Sequence, residues 1–534
     1  NLPQNERSLG YAPGSPERAR LEAELERLLS AGTEVPCLIG GKELRTGRTR
    51  PIIRPDERQT ELGLCHLAGA SEARAAIEAA LEAKRGWEAM PWEERAAVFR
   101  RAAELVAGRH RARIVAATML GQSKTVDQAE IDAACEVADF FRFGAAAMAR
   151  VYAEQPADGP SEWNRSSYRP LEGFVFAVSP FNFTALGANL AVAPALMGNV
   201  VVWKPASTAV LSNWVLMQIY EEAGLPPGVI NFLPGKGSDI SDVILADPRF
   251  AGLHFTGSTA VFRGLWKRVA EGLERYVSYP RLVGETGGKN FVFIHPSADL
   301  EAARVAVIRG AYEYQGQKCS AASRLYLPKG LSRTFLEGLA DEARSLPVGK
   351  VDDFRNFLGA VIDEPAFDGI MGHIEAARPG SRLLAGGRGD KSRGFFIEPT
   401  LLLSAEARSP AMTEEIFGPV LTAYVYDEAD IDGALRLVDT SSPYALTGSV
   451  FARDRAAIVR SLGLLRQAAG NLYVNDKPTG AVVGRQPFGG ARASGTNDKA
   501  GTAGNLLRWV SALSIKENLD PPRDWRYPSM AEPS

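Results

Sequence analysis

Cysteine is scarce in this chain, with four in 534 residues, at 37, 65, 135 and 319. They lie 28, 70 and 184 residues apart, no C-x-x-C occurs, and only Cys65 has a neighbouring histidine, His66. That spacing argues against a disulfide framework and a structural zinc site, and it fits a reducing compartment. Histidine is as rare, and the other four, His110, His254, His295 and His373, show no ligand spacing. No metal is expected. Neither sign of charge dominates: 61 basic residues face 63 acidic ones, which leaves no footprint for nucleic acid or an anionic membrane. A run of about eighteen apolar residues is also missing, so no membrane-spanning helix is expected. The opening "NLPQNERSLGYAPGSPERAR" has no apolar signal-peptide stretch and mixes acids with arginines, against a secretory signal or a transit peptide. The usual dinucleotide fingerprint, G-x-G-x-x-G, stands at none of the strand–helix turns.

What is present is ordinary globular composition, 45% hydrophobic and 23% charged, in a chain long enough for two or three domains. The first third reads as helical. Residues 71–90 predict a helix with Ser71 as N-cap, 91–110 a second entered through Pro91, and 127–148 a third. The basic "RHRARI" at 109–114 reads as a solvated helix face. At 152–170 the periodicity lapses into a polar arm or excursion. From 173 onward, short apolar runs ("FVFAV", "NVVVW", "GVINFLP", "GLHFTG") alternate with helical stretches, the pattern of a parallel α/β sheet. A second α/β pattern follows "LVGETGGKNFVF" (282–293) and runs to about 475. The tail after 500 reads as an extended, partner-contacting segment.

Parallel sheets place ligands at the carboxyl ends of their strands, so the residues there are the candidates. "SPFNF" offers Asn182, whose amide suits a developing oxyanion and equally an ordinary turn. "WKPAS" offers Lys204 and Ser207, and "FTGST" puts Gly257 and Ser258 at a helix start that suits pyrophosphate or plain capping. "GETGGKN" holds Glu285, a general base if buried and a capping carboxylate otherwise. In "EYQGQKCSAASRLY", Cys319 is either buried filler or a nucleophile.

Taken together these segments resemble the aldehyde dehydrogenase superfamily. The order is Asn182, Lys204, Gly257-Ser258, Glu285, Cys319, then "EEIFGPV" at 414–420 and "PFGG" at 487–490, with Glu285 34 residues before Cys319. "SPFNFTALGANLAVAPALMGNVVVWKP", "YQGQKCSA" and "NDKPTGAVVGRQPFGGARASGTNDK" are similar to the branch that oxidises L-glutamate-γ-semialdehyde to L-glutamate, the second step of proline catabolism.

The resemblance implies an α/β aldehyde dehydrogenase fold with a Rossmann-like NAD-binding domain, an α/β catalytic domain and a small oligomerisation arm. Its implied divisions are 1–151 and 172–284 for NAD binding, 152–171 for the arm, 285–480 for catalysis, and 481–534 for the end of the anchor loop and the oligomerisation tail. Cys319 is then the nucleophile, Glu285 the activator of water and Asn182 part of the oxyanion hole. Lys204, Ser207, Gly257, Ser258, Glu415 and Phe417 contact NAD. Ser207 stands where NAD-strict relatives often carry Glu, so NADP is tolerated on this reading. Ser320, Gly480 and Ala481 take the substrate carboxylate, Phe183 and Phe488 sandwich its aliphatic chain, and Glu136 receives the ammonium, while Glu130 and Asp132 read as solvated or structural. The expected partner is a small-molecule substrate, with no nucleic acid or membrane, in a homodimer or higher homo-oligomer. The expected compartment is a bacterial cytoplasm, or a mitochondrial matrix for a eukaryotic source. The competing enzyme is another hydrolytic aldehyde dehydrogenase, such as one for succinic semialdehyde. The competing non-enzyme, a catalytically silent protein on this fold, should lack Cys319 or Glu285, and both are present.

Overall fold

The computed structural model describes residues 3–532. Two seven-stranded sheets organise them. In the first, Arg281–Glu285, Phe250–Thr256, Phe174–Val178, Val201–Lys204 and Ile230–Phe232 lie side by side and parallel. Cys37–Ile39 and Lys42–Leu44 finish that sheet antiparallel. Both faces are covered, which is why these strands read as continuous apolar runs. Val175 and Ala177 join one core with the helices Trp92–Ala107, Thr184–Leu196 and Val210–Glu222. Phe174 and Phe176 join the other with the helices Ala70–Ala89 and Thr259–Glu271.

In the second sheet Thr400–Ser404, Val420–Tyr426, Ala322–Pro328, Asn290–Ile294, Thr447–Phe451 and Asn471–Val474 run parallel, with Ser381–Ala385 antiparallel at the edge. Register aligns the carboxyl ends of the first sheet: Val178 is opposite both Lys204 and Phe255, and Thr256 is opposite Glu285. The turns bearing Asn182, Lys204, Gly257 and Glu285 therefore leave from one edge.

The arm at 152–170 contains the strand Glu162–Pro170, which pairs along nine residues with Val510–Asn518 of the tail. Leu519, Trp525 and Tyr527 beyond it are largely exposed.

Three local expectations are corrected. Ser71 is not an N-cap: the helix starts at Ala70, and Glu72 accepts the N–H of Gly69 at 2.7 Å. "RHRARI" is not a solvated face, because it opens the helix Arg111–Gln122, in which Arg111, Ile114 and every residue from Val115 to Gln122 are buried. The 127–148 helix is interrupted: Val126–Ala129 passes through a π-helical stretch, Glu130–Glu136, into Val137–Ala153. Glu130 and Asp132 are buried in that stretch and are structural. Glu130 takes bonds from Arg111 and from the Tyr11 hydroxyl, and Asp132 from Lys124 Nζ at 2.7 Å.

Candidate active site

The turn that delivers Cys319 is under backbone strain. After the helix Leu300–Tyr312, Tyr314, Gln315 and Gly316 have φ of 53°, 56° and 65° in succession. Only glycine fits at 316, since a Cβ there would lie 2.2 Å from the Gly418 carbonyl oxygen. The other two side chains cost about 1–2 kcal/mol each in a left-handed conformation. Burial and hydrogen bonds hold them there. Tyr314 Oη donates to Gln122 O at 3.0 Å, Gln315 Nε2 donates to Ser123 O at 2.9 Å and Ala360 O at 2.7 Å, and Gln315 Oε1 accepts from Gly359 N at 3.0 Å. Cys319 follows, with its carbonyl accepting from Asn290 Nδ2 at 2.7 Å.

Of the four thiols, Cys37, Cys65 and Cys135 are buried and Cys319 is partly open. Burial pushes the Cys319 pKa up to about 12, and the carboxylates of Glu285, Glu415 and Glu136 add to the shift. Asn182 is buried and donates through Nδ2 to Gln317 O at 3.1 Å, which holds its amide against the cysteine loop. Asp132 accepts the N–H groups of Thr184 and Ala185, at 2.9 and 2.8 Å, and so anchors the helix start just after Asn182 and Phe183. Glu285 ends its strand and accepts the Gly490 N–H at 2.9 Å. Burial raises its pKa to about 8.

On the cofactor side, Lys204 has no carboxylate partner among the described residues, and burial lowers its pKa to about 8. Ser207 is half-buried three residues further along the same turn. Gly257 donates its N–H to Glu285 O at 3.2 Å, and Ser258 caps the helix Thr259–Glu271 by accepting Val261 N–H at 3.3 Å. Glu415 accepts the Gly288 N–H at 2.8 Å, and a Cβ at Gly287 would meet its carboxylate at 2.2 Å. Phe417, at φ 57°, packs edge-on against Phe181 with centroids 5.8 Å apart, joining its loop to the Asn182 turn. An unpaired cation, a helix start and a seated carboxylate suit phosphates and ribose hydroxyls, so these residues fit NAD.

On the other side of Cys319 a single cavity is lined by all seven residues named around the aldehyde: Cys319 with Ser320, Gly480, Ala481, Phe183, Phe488 and Glu136. Ser320 Oγ shares a 2.7 Å hydrogen bond with Thr479 Oγ1. Burial, with Asp132 nearby, pushes the pKa of Glu136 up to about 8. Asn182, Glu285 and the six cofactor-side residues are not among those lining the cavity.

Residues 44–511 match the aldehyde dehydrogenase family. The chain belongs to that family. It is 52% identical over 529 residues to the delta-1-pyrroline-5-carboxylate dehydrogenase of Agaricus bisporus, covering 98% of this chain and 97% of that protein. It is 47% identical to the mitochondrial protein of the same name from Mus musculus, over 98% of this chain and 94% of the other. The crystal structure of the Mycobacterium tuberculosis delta-pyrroline-5-carboxylate dehydrogenase superposes with a TM-score of 0.97 at 51% identity, covering 99% of this chain and 98% of that one. The same protein bound with NAD gives a TM-score of 0.96, also at 51% identity and the same coverage.

In this aldehyde dehydrogenase the cavity also has members that the sequence reading passed over. Glu313 accepts from Lys477 Nζ at 2.9 Å and from Lys318 Nζ at 3.1 Å, and all three line the cavity with Thr479. Lys318 directly precedes Cys319, and that adjacency was the available signal. Lys477 and Glu313 are 164 residues apart, and nothing local joins them.

Proposed function

We propose that this aldehyde dehydrogenase oxidises L-glutamate-γ-semialdehyde, the open form of Δ1-pyrroline-5-carboxylate, to L-glutamate with NAD, as the second step of proline catabolism. The observation that carries the reading is the cavity lined both by Cys319 and by Ser320, Gly480 and Ala481, to which this reading gives the substrate carboxylate. Names of the relatives from Agaricus bisporus and Mus musculus support it.

Cys319 gives its thiol proton to solvent water, the thiolate Sγ bonds to the aldehyde carbon, and the oxygen that gains charge is held by Asn182 Nδ2 and the Cys319 N–H. The proton that Glu285 later takes from water returns to Sγ when the carbon–sulfur bond breaks. NAD, held by Lys204, Ser207, Gly257, Ser258, Glu415 and Phe417, supplies the hydride acceptor when bound. Loss of hydride leaves a thioester on Cys319. Glu285 takes a proton from water, the resulting hydroxide attacks the thioester carbon, and the carbon–sulfur bond breaks to release the carboxylate and restore the thiol. Backbone N–H groups of the 480–481 loop and the Ser320 hydroxyl take the distant carboxylate, in a cavity where the charges of Lys318 and Lys477 are met by Glu313. Phe183 and Phe488 enclose the aliphatic chain, and Glu136 faces the ammonium.

The wider assignments follow. The first sheet with its helices (1–151 and 172–284) binds NAD, the second (285–480) carries out catalysis, and the ribbon of 152–171 with the tail after 481 makes a homodimer contact. Ser207, small and neutral, leaves room for a 2′-phosphate, so NADP is tolerated. The Ala- and Arg-rich composition suits a bacterial cytoplasm. The mitochondrial matrix is the compartment for a eukaryotic source, in line with relatives named mitochondrial.

Steady-state NADH formation with Δ1-pyrroline-5-carboxylate, beside succinic semialdehyde and a short aliphatic aldehyde, tests the substrate. Higher kcat/KM for the first is expected. A preference for succinic semialdehyde overturns the reading.

A further inference from the structure

The walls of the aldehyde cavity come from pieces of chain far apart in sequence. Glu136 and Phe140 belong to the π-helical stretch and the helix after it, while Gly480, Ala481 and Val483 belong to the loop that follows Asn471–Val474. That loop joins no sheet, and Gly480 and Gly484 both have positive φ, 91° and 81°. Packing holds it at Val483, which is buried in the first core, and at Gly484, which lies against the Phe143 ring; the rest of its backbone depends on hydrogen bonds from outside.

Among the described residues, every hydrogen bond that leaves segment 480–486 runs to one side chain, Asn5. Asn5 Nδ2 donates to Val483 O at 2.8 Å and to Asp139 Oδ2 at 2.8 Å. Asn5 Oδ1 accepts from Arg485 Nε at 3.0 Å. Both amide protons and the amide oxygen are thus engaged, and a flipped amide would set oxygen against a carboxylate and a carbonyl. Asp139 stands one residue before Phe140 and three after Glu136, on the opposite wall. Around Asn5 the segment is laced to the same stretch: Glu6 N–H donates to Asp139 Oδ1 at 2.7 Å, Leu9 N–H to Glu130 Oε1 at 2.9 Å, and Tyr11 Oη to Glu130 Oε2 at 2.7 Å.

We propose that Asn5 is a positioning residue of this reaction. It ties the loop that takes the substrate carboxylate to the helix bearing Glu136 and Phe140, and it sets the width of the cavity between them. The proposal rests on the substrate reading given above. Asn5 touches neither substrate nor cofactor, so its removal acts on how the carboxylate is held and leaves the chemistry at Cys319 alone.

Asn5→Ala in the full chain is expected to raise KM for glutamate-γ-semialdehyde roughly tenfold, with kcat within about twofold. Propanal has no carboxylate to lodge on the loop, so its kcat/KM and the KM for NAD should stay within about twofold of the parent. Asn5→Asp, which sets a carboxylate against Asp139, should raise the same KM further. Arg485→Ala, at an exposed loop position, should raise it roughly threefold and serves if Asn5→Ala does not fold. An unchanged KM in a folded Asn5→Ala or Arg485→Ala protein overturns the proposal, as does an equal loss with both aldehydes. Lack of glutamate-γ-semialdehyde turnover by the parent chain defeats the substrate reading, and this proposal with it.

Discussion

Glu285 and Gly490 meet through one hydrogen bond, the Gly490 N–H donating to Glu285 Oε2 at 2.9 Å. A single backbone donor does not offset burial, and the carboxyl therefore ionises only near pH 8. On the proposed mechanism Glu285 must be ionised to take a proton from water. Deacylation should accordingly rise with pH up to about 8 and then level, which a kcat profile followed by NADH would show. A kcat independent of pH between 6 and 9 would contradict this role for Glu285.

Glu285→Gln should still form the thioester and then stall. Rapid mixing should give a burst of NADH near one equivalent per site, followed by turnover slower by roughly 10²–10⁴-fold. If burst and steady state fall together, Glu285 acts before the thioester.

Burial and the carboxylates of Glu285, Glu415 and Glu136 push the Cys319 thiol up to about 12. Alkylation by iodoacetamide should be slow at neutral pH and keep accelerating beyond pH 9, with protection by aldehyde. Cys319→Ala should have no turnover. Asn182→Ala should lose roughly 10²–10³-fold in kcat while binding NAD as before, measured by fluorescence titration.

Ser207→Glu should remove NADP turnover and leave NAD turnover within about threefold, because a carboxylate repels a 2′-phosphate but accepts a 2′-hydroxyl. The parent chain should reduce both cofactors. No detectable NADP turnover by the parent would sink the idea.

Arg111→Met should destabilise by about 3–5 kcal/mol, because it strands the buried Glu130 carboxylate. Urea denaturation would report the loss. Arg111 lines no part of the aldehyde cavity, so KM values should move less than the unfolding midpoint.

Strands such as Phe174–Val178 and Phe250–Thr256 were legible because burial on both faces leaves an unbroken apolar run in the sequence. Asn182, Lys204, Gly257, Ser258 and Glu285 were legible because each stands at or just past the end of such a run. Arg111 was misread since an arginine's burial depends on a partner, Glu130, supplied by another helix. The Lys477–Glu313 contact and Asn5 were invisible for the same reason: they reach across 164 and 478 residues, and no periodicity marks them. The π-helical stretch shifts each backbone hydrogen bond by one residue, i→i+5 in place of i→i+4, too slight to alter a helical pattern.

The left-handed backbone at Tyr314 and Gln315 sets how this protein should fail on heating. Both residues relax as soon as Gln122, Ser123 and Ala360 loosen their hold, and the sheets need not open for that. Turnover should therefore vanish at a lower temperature than the circular dichroism signal. The gap between the two midpoints would measure the spring set beneath Cys319.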